Sequence, residues 1–146
     1  MSQRLADTRI LIVDDDDDIR TSVELAMRGE GAETRTVADG NAAIHSAQHD
    51  EPDLVILDMM LPKFSGLFVL EKIKQMDDPP IVVMMTANEG RRHMTYAEAC
   101  GVDAYFYKPV PLQRLIEKCI ELIDHRDEVQ DGADDDAVDE HQGESA

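Results

Sequence analysis

Three stretches of the chain are apolar almost without interruption: Ile10-Leu11-Ile12-Val13, Leu54-Val55-Ile56-Leu57 and Ile81-Val82-Val83-Met84-Met85. Short continuous runs rich in β-branched residues and bounded by prolines (Pro52, Pro62, Pro80) have the signature of strands buried on both faces. Two weaker stretches also read as strands, 33–37, which is more polar and so nearer a sheet edge, and 102–107. Apolar residues three and four apart predict helices over 19–29, 41–49, 65–76 and 111–124, and 90–100, closed by Gly101, reads as a weak helix with little apolar periodicity. In the first of these, Ile19, Val23, Leu25, Ala26 and Met27 are the expected apolar face. Strand and helix alternate five times, which predicts an α/β fold with a five-stranded, mostly parallel sheet covered by helices on both faces.

Composition adds limits to this picture. At 146 residues the chain is one domain's worth, long enough to bury a core without staples. Cys100 and Cys119 lie in no metal-ligand spacing and read as buried reduced thiols. No run approaches the roughly 20 apolar residues of a membrane span, and the first residues lack the apolar core of a signal peptide, so a cytoplasmic protein without membrane association is expected. The net charge of −18 argues against direct nucleic-acid binding, which needs clustered Lys and Arg. Residues 126–146 hold nine acids against Arg126, a charge of −8 that leaves −10 for the rest. With few large apolar residues, that acidic tail is expected to be disordered, beyond a folded domain over 7–125.

The chemistry gathers where the strands end. The first run stops at Asp14-Asp15, the third strand at Asp58, the fourth at Thr86-Ala87 and the fifth at Lys108-Pro109. In an open parallel sheet, ligands bind outside the carboxyl ends of the strands. Three carboxylates suit a hard divalent cation, and a hydroxyl and an ammonium suit phosphate oxygens. A carboxylate held beside such a cation can accept a phosphoryl group as an acyl phosphate. Asp16 to Asp18 belong instead to the start of the next helix, where they cap N–H groups and complement its dipole. The run is not a calcium loop, since Ile19 and Leu25 stand where Gly and Glu are needed.

The combination Val13-Asp14-Asp15, Asp58-x-x-Leu61-Pro62 with Ser65-Gly66, Thr86-Ala87 and Lys108-Pro109 resembles the receiver domain of two-component response regulators, here of the stand-alone type. The resemblance implies a flavodoxin-like, doubly wound sheet of strand order 2-1-3-4-5, a fold for which a chemotaxis receiver is a standard example. It makes Asp58 the phosphoacceptor, with Mg²⁺ bound by Asp15, Asp58 and the Met60 backbone carbonyl and its waters oriented by Asp14. Thr86 would bond the phosphoryl group, Lys108 would pair with Asp58 and then with the phosphate, Tyr105 would act with Thr86 as a switch, and Lys108-Pro109 would be cis. The implied protein is a phosphoacceptor in signalling that takes its phosphate from a histidine kinase or histidine phosphotransfer protein and acts on a downstream protein target, with a phosphorylation-dependent homodimer left open. A relay intermediate, passing the phosphate on to a histidine, and a Mg²⁺-dependent phosphohydrolase are the competing functions. Met60 and Asn88 occupy the family's tuning positions for dephosphorylation, and the apolar Met60 predicts a moderately long-lived phosphoryl group. Gly90-Arg91-Arg92-His93-Met94, the one basic cluster, is either a solvated helix face or a docking site for an acidic partner.

Overall fold

The computed structural model describes residues 3–87 and 90–135, with side chains described through Val129. Five strands, β1 (Arg9–Val13), β2 (Glu33–Val37), β3 (Leu54–Asp58), β4 (Ile81–Thr86) and β5 (Ala104–Tyr107), alternate with five helices, α1 (Asp17–Gly29), α2 (Gly40–His49), α3 (Gly66–Lys74), α4 (Arg91–Ala99) and α5 (Leu112–Asp135). The strands are all parallel in the order β2-β1-β3-β4-β5, the flavodoxin-like arrangement, with the polar β2 at one edge.

The apolar runs are continuous because the sheet is covered twice. Successive side chains point to opposite faces. Ile10, Ile12, Leu54, Ile56, Val83 and Met85 pack with α1 and α5 through Val23, Met27, Leu115, Cys119, Ile120 and Ile123. Their neighbours Leu11, Val13, Val55, Leu57, Val82 and Met84 pack on the other side with Ala43 and Ala47 of α2, Val69, Leu70 and Ile73 of α3, and Ala97 of α4. Each large side chain so buried contributes about 1.5–3 kcal/mol.

The helix starts follow local chemistry. Asp16, Asp39 and Ser65 cap α1, α2 and α3 by accepting backbone N–H groups of the first turn. Three expectations differ from the structure. Leu25 is 65% exposed, because it lies about 200° around the helix from Val23, whereas Met27 returns to the buried side. Cys100 is half-buried, while Cys119 is fully enclosed and burial pushes its thiol up to about 12. The last helix does not stop near Asp124 but continues to Asp135, so residues 126–135 of the acidic segment are helical. Neither the Arg126 contact to Asp53, 3.1 Å from Nη2 to Oδ1, nor the absence of proline gives the helix a reason to stop at that point. The disorder expected of 136–146 falls outside the described residues.

Candidate functional site

Because β1 and β3 are adjacent and in register, their carboxyl ends place Asp14 and Asp58 side by side, and β4 and β5 bring in Thr86 and Lys108. Asp14 is completely buried, and Asp58 is 3% exposed. Between them sits the Lys108 ammonium, 3.0 Å from Asp14 Oδ2 and 3.1 Å from Asp58 Oδ1. The expected pairing of Lys108 with Asp58 is therefore found, together with a second one to Asp14. Asp15 is exposed at the rim, and carboxylate oxygens of Asp14, Asp15 and Asp58 all lie within 4.8 Å of one another.

Burial pushes the Asp58 carboxyl above the usual carboxylate range, the Asp14 charge pushes it further the same way, and Lys108 and the Met60 N–H oppose them. Burial draws the Lys108 ammonium down, but its hydrogen bonds to Asp14 and Asp58 prevail and hold it above its ordinary value. Three carboxylates faced by one ammonium leave a deficit of positive charge. The donor set, all carboxylate oxygen, fits a hard divalent cation rather than a soft one.

The backbone fixes this geometry tightly. Asp14 Oδ1 accepts the Asp16 N–H at 2.9 Å, and Arg20 Nη1 donates to the Asp14 carbonyl at 2.7 Å. Arg20, which also pairs with Asp17, was not legible as a site residue; its one sequence signal is its place on the first turn of the helix after Asp14. The Met59 N–H donates to the Met85 carbonyl at 2.9 Å, and Gly66 N–H donates back to the Met59 carbonyl at 2.7 Å. A Cβ on Gly66 would stand 2.3 Å from the Asp58 carbonyl oxygen, so the close approach of α3 to the end of β3 demands glycine.

Thr86 is fully buried at the end of β4, and its carbonyl accepts the Lys108 N–H at 2.8 Å. The Lys108-Pro109 peptide is cis, as the resemblance implied. Tyr105 is half-buried on β5, its hydroxyl 3.8 Å from Met59 Sδ and its ring edge-on to Tyr107 at 5.7 Å. Burial first, and Tyr107 second, push its phenol up. Met60 turns outward, 59% exposed. Asn88 falls outside the described residues.

Residues 10–120 match the family model described as the response regulator receiver domain. Among characterised relatives, the chain is 33% identical over 127 residues to the transcriptional regulatory protein PrrA of Mycobacterium bovis, covering 86% of this chain and 54% of the relative. It is 34% identical over 110 residues to the DNA-binding response regulator MtrA of Mycolicibacterium smegmatis, covering 75% of this chain and 48% of that protein. The chain thus spans about half the length of these relatives. Among solved structures, a CheY-like response regulator receiver domain protein from Methanospirillum hungatei superposes with a TM-score of 0.80 at 30% identity, over 83% of this chain and 97% of the other. With the strand-end acids, the lysine and the sheet order all in place, this chain belongs to the response regulator receiver domain family of two-component systems.

Proposed function

We propose that this receiver takes a phosphoryl group onto Asp58 from a phosphohistidine of a histidine kinase or histidine phosphotransfer protein. The observation that carries the reading is the single ammonium of Lys108 shared between the buried Asp14 and Asp58 carboxylates. An Asp58 oxygen attacks phosphorus, the bond from phosphorus to the imidazole nitrogen breaks, and the leaving imidazole keeps the electron pair and takes up a proton. Asp15, Asp58 and the Met60 carbonyl would hold Mg²⁺, with Asp14 orienting its waters. A bound Mg²⁺ supplies charge neutralisation for the phosphoryl oxygens. Lys108 exchanges its hydrogen bond to Asp58 for one to the phosphoryl group, and the Thr86 hydroxyl donates to another of its oxygens.

The phosphorylated state then acts through the surface, with Thr86 drawn toward the phosphate and Tyr105 swinging inward as Thr86 moves. The protein is a signalling phosphoacceptor in the cytoplasm, acting on a downstream protein rather than by touching nucleic acid itself, in keeping with its charge of −18. No helix among the described residues is long and apolar enough to cross a membrane. These steps belong to the receiver unit and hold whether it works alone or tethered to a further unit.

Incubation with a phosphorylated histidine kinase tests the reading. Label should pass to the wild type and not to Asp58→Asn; label reaching the variant would refute Asp58 as the acceptor. Return of the label to a histidine protein would assign the relay role instead of output.

A further inference from the structure

We propose that the exposed face of α2 carries a transition-metal site, made by the imidazoles of His45 and His49 and taking a borderline divalent cation such as Zn²⁺. The two residues are one helical turn apart, on the side of α2 opposite Ala43 and Ala47, which are buried in the core. Residues at this spacing are neighbours on a helix surface. Both histidines are exposed, and their rings lie with centroids 4.2 Å apart at 25°. At this spacing, rotation about the side-chain torsions alone would let both imidazoles reach one ion.

The tautomer supports a metal more than a mere stack. His49 Nδ1 lies 2.8 Å from the His45 carbonyl oxygen. A carbonyl oxygen only accepts, so Nδ1 carries a proton and Nε2 is the ring nitrogen left for a metal. A ring N–H given to a backbone carbonyl is the arrangement by which metal-ligating histidines are oriented. Imidazole nitrogen suits Zn²⁺, Cu²⁺ and Ni²⁺, whereas Mg²⁺ seeks oxygen. Asp50, the next carboxylate along the chain, is engaged by Arg35 at 3.0 Å, so the remaining coordination positions fall to water. The site is separate from the strand-end acids. The end of α2 lies against the start of β1, where Arg9 Nη1 donates to the Asp50 carbonyl at 3.1 Å, at the opposite end of the strands from Asp58.

The test is a titration of the full chain with Zn²⁺ in excess Mg²⁺, which occupies the strand-end carboxylates, followed by NMR of the imidazole nitrogens. His93, His125 and His141 serve as internal references. The signals of His45 and His49 should shift together and saturate near one equivalent. Because the second imidazole binds intramolecularly, His45→Gln and His49→Gln should each weaken the site by about tenfold or more. Both substitutions are on the surface and should leave Mg²⁺-dependent phosphorylation unchanged. A shift of only one of the two rings, no shift in either, or an unchanged midpoint in His45→Gln overturns the assignment.

Discussion

Asp58 and Asp14 are two carboxylates closed off from water with one ammonium between them, and this has a consequence for stability before any ligand binds. Asp58 is held above the usual carboxylate range, first by burial and then by Asp14. The folded state therefore binds its proton more tightly than the unfolded chain, and Asp58 subtracts stability as pH rises through the carboxylate range, fully so above its folded pKa. Asp58→Asn should stabilise the cation-free protein at neutral pH by about 1 kcal/mol, a few °C in Tm. The same change should abolish the stabilisation that added Mg²⁺ gives the wild type. Thermal unfolding with and without Mg²⁺ checks both, and a cation-free variant that melts below the wild type would contradict the electrostatic reading. The residues of this site could be found in the sequence because each ends a strand. The second partner of Lys108 and the anchoring Arg20 could not, since both depend on side chains reaching across from other elements.

At the scale of elements, the turn from β3 into α3 holds the reactive end of the strand. The Gly66 backbone closes on the Asp58 carbonyl and the Met59 Cα, where a new Cβ would lie 2.3 and 2.6 Å from these atoms. Both contacts are backbone, so neither can yield by a rotamer change. Gly66→Ala should cost roughly 2 kcal/mol by overpacking and should also slow phosphorylation by moving Asp58. Urea unfolding checks the first effect, and the rate of modification by a small phosphodonor checks the second; a variant with wild-type stability would remove the steric account. The strands were legible because double burial writes continuous apolar runs, as in 54–57 and 81–85. Helix faces were less so. Leu25 is apolar yet exposed, since one residue's hydropathy does not fix the side of the helix on which it falls. The end of α5 at Asp135 was hidden too, because acidic composition reads as disorder when the packed helix preceding it is not yet in view.

For the whole molecule, the end of the sheet opposite Asp58 is tied to the last helix. Arg126 on α5 donates from Nη1 to the Asp53 carbonyl at 3.2 Å and from Nη2 to its carboxylate at 3.1 Å, and Asp53 Oδ2 accepts the Arg9 N–H at 2.8 Å. One carboxylate thereby joins the starts of β1 and β3 to the last helix. Arg126 Nε is buried with no partner among the described residues, which offsets part of the gain. Arg126→Ala should then cost about 1 kcal/mol and release hydrogen-exchange protection in the final turns of α5, leaving the core of the sheet protected. Unchanged exchange there would mean that the helix end is held by something else. The strand order and the placement of functional groups at one edge are what make the chain a receiver, and they turn on Asp58 more than on any other residue. The most direct measurement is therefore the intact mass of the protein after exposure to a small acyl phosphate, with and without Mg²⁺, for the wild type and Asp58→Asn. A Mg²⁺-dependent gain of one phosphoryl group by the wild type alone is the predicted result; a gain that persists in Asp58→Asn, or that needs no divalent cation, would contradict it.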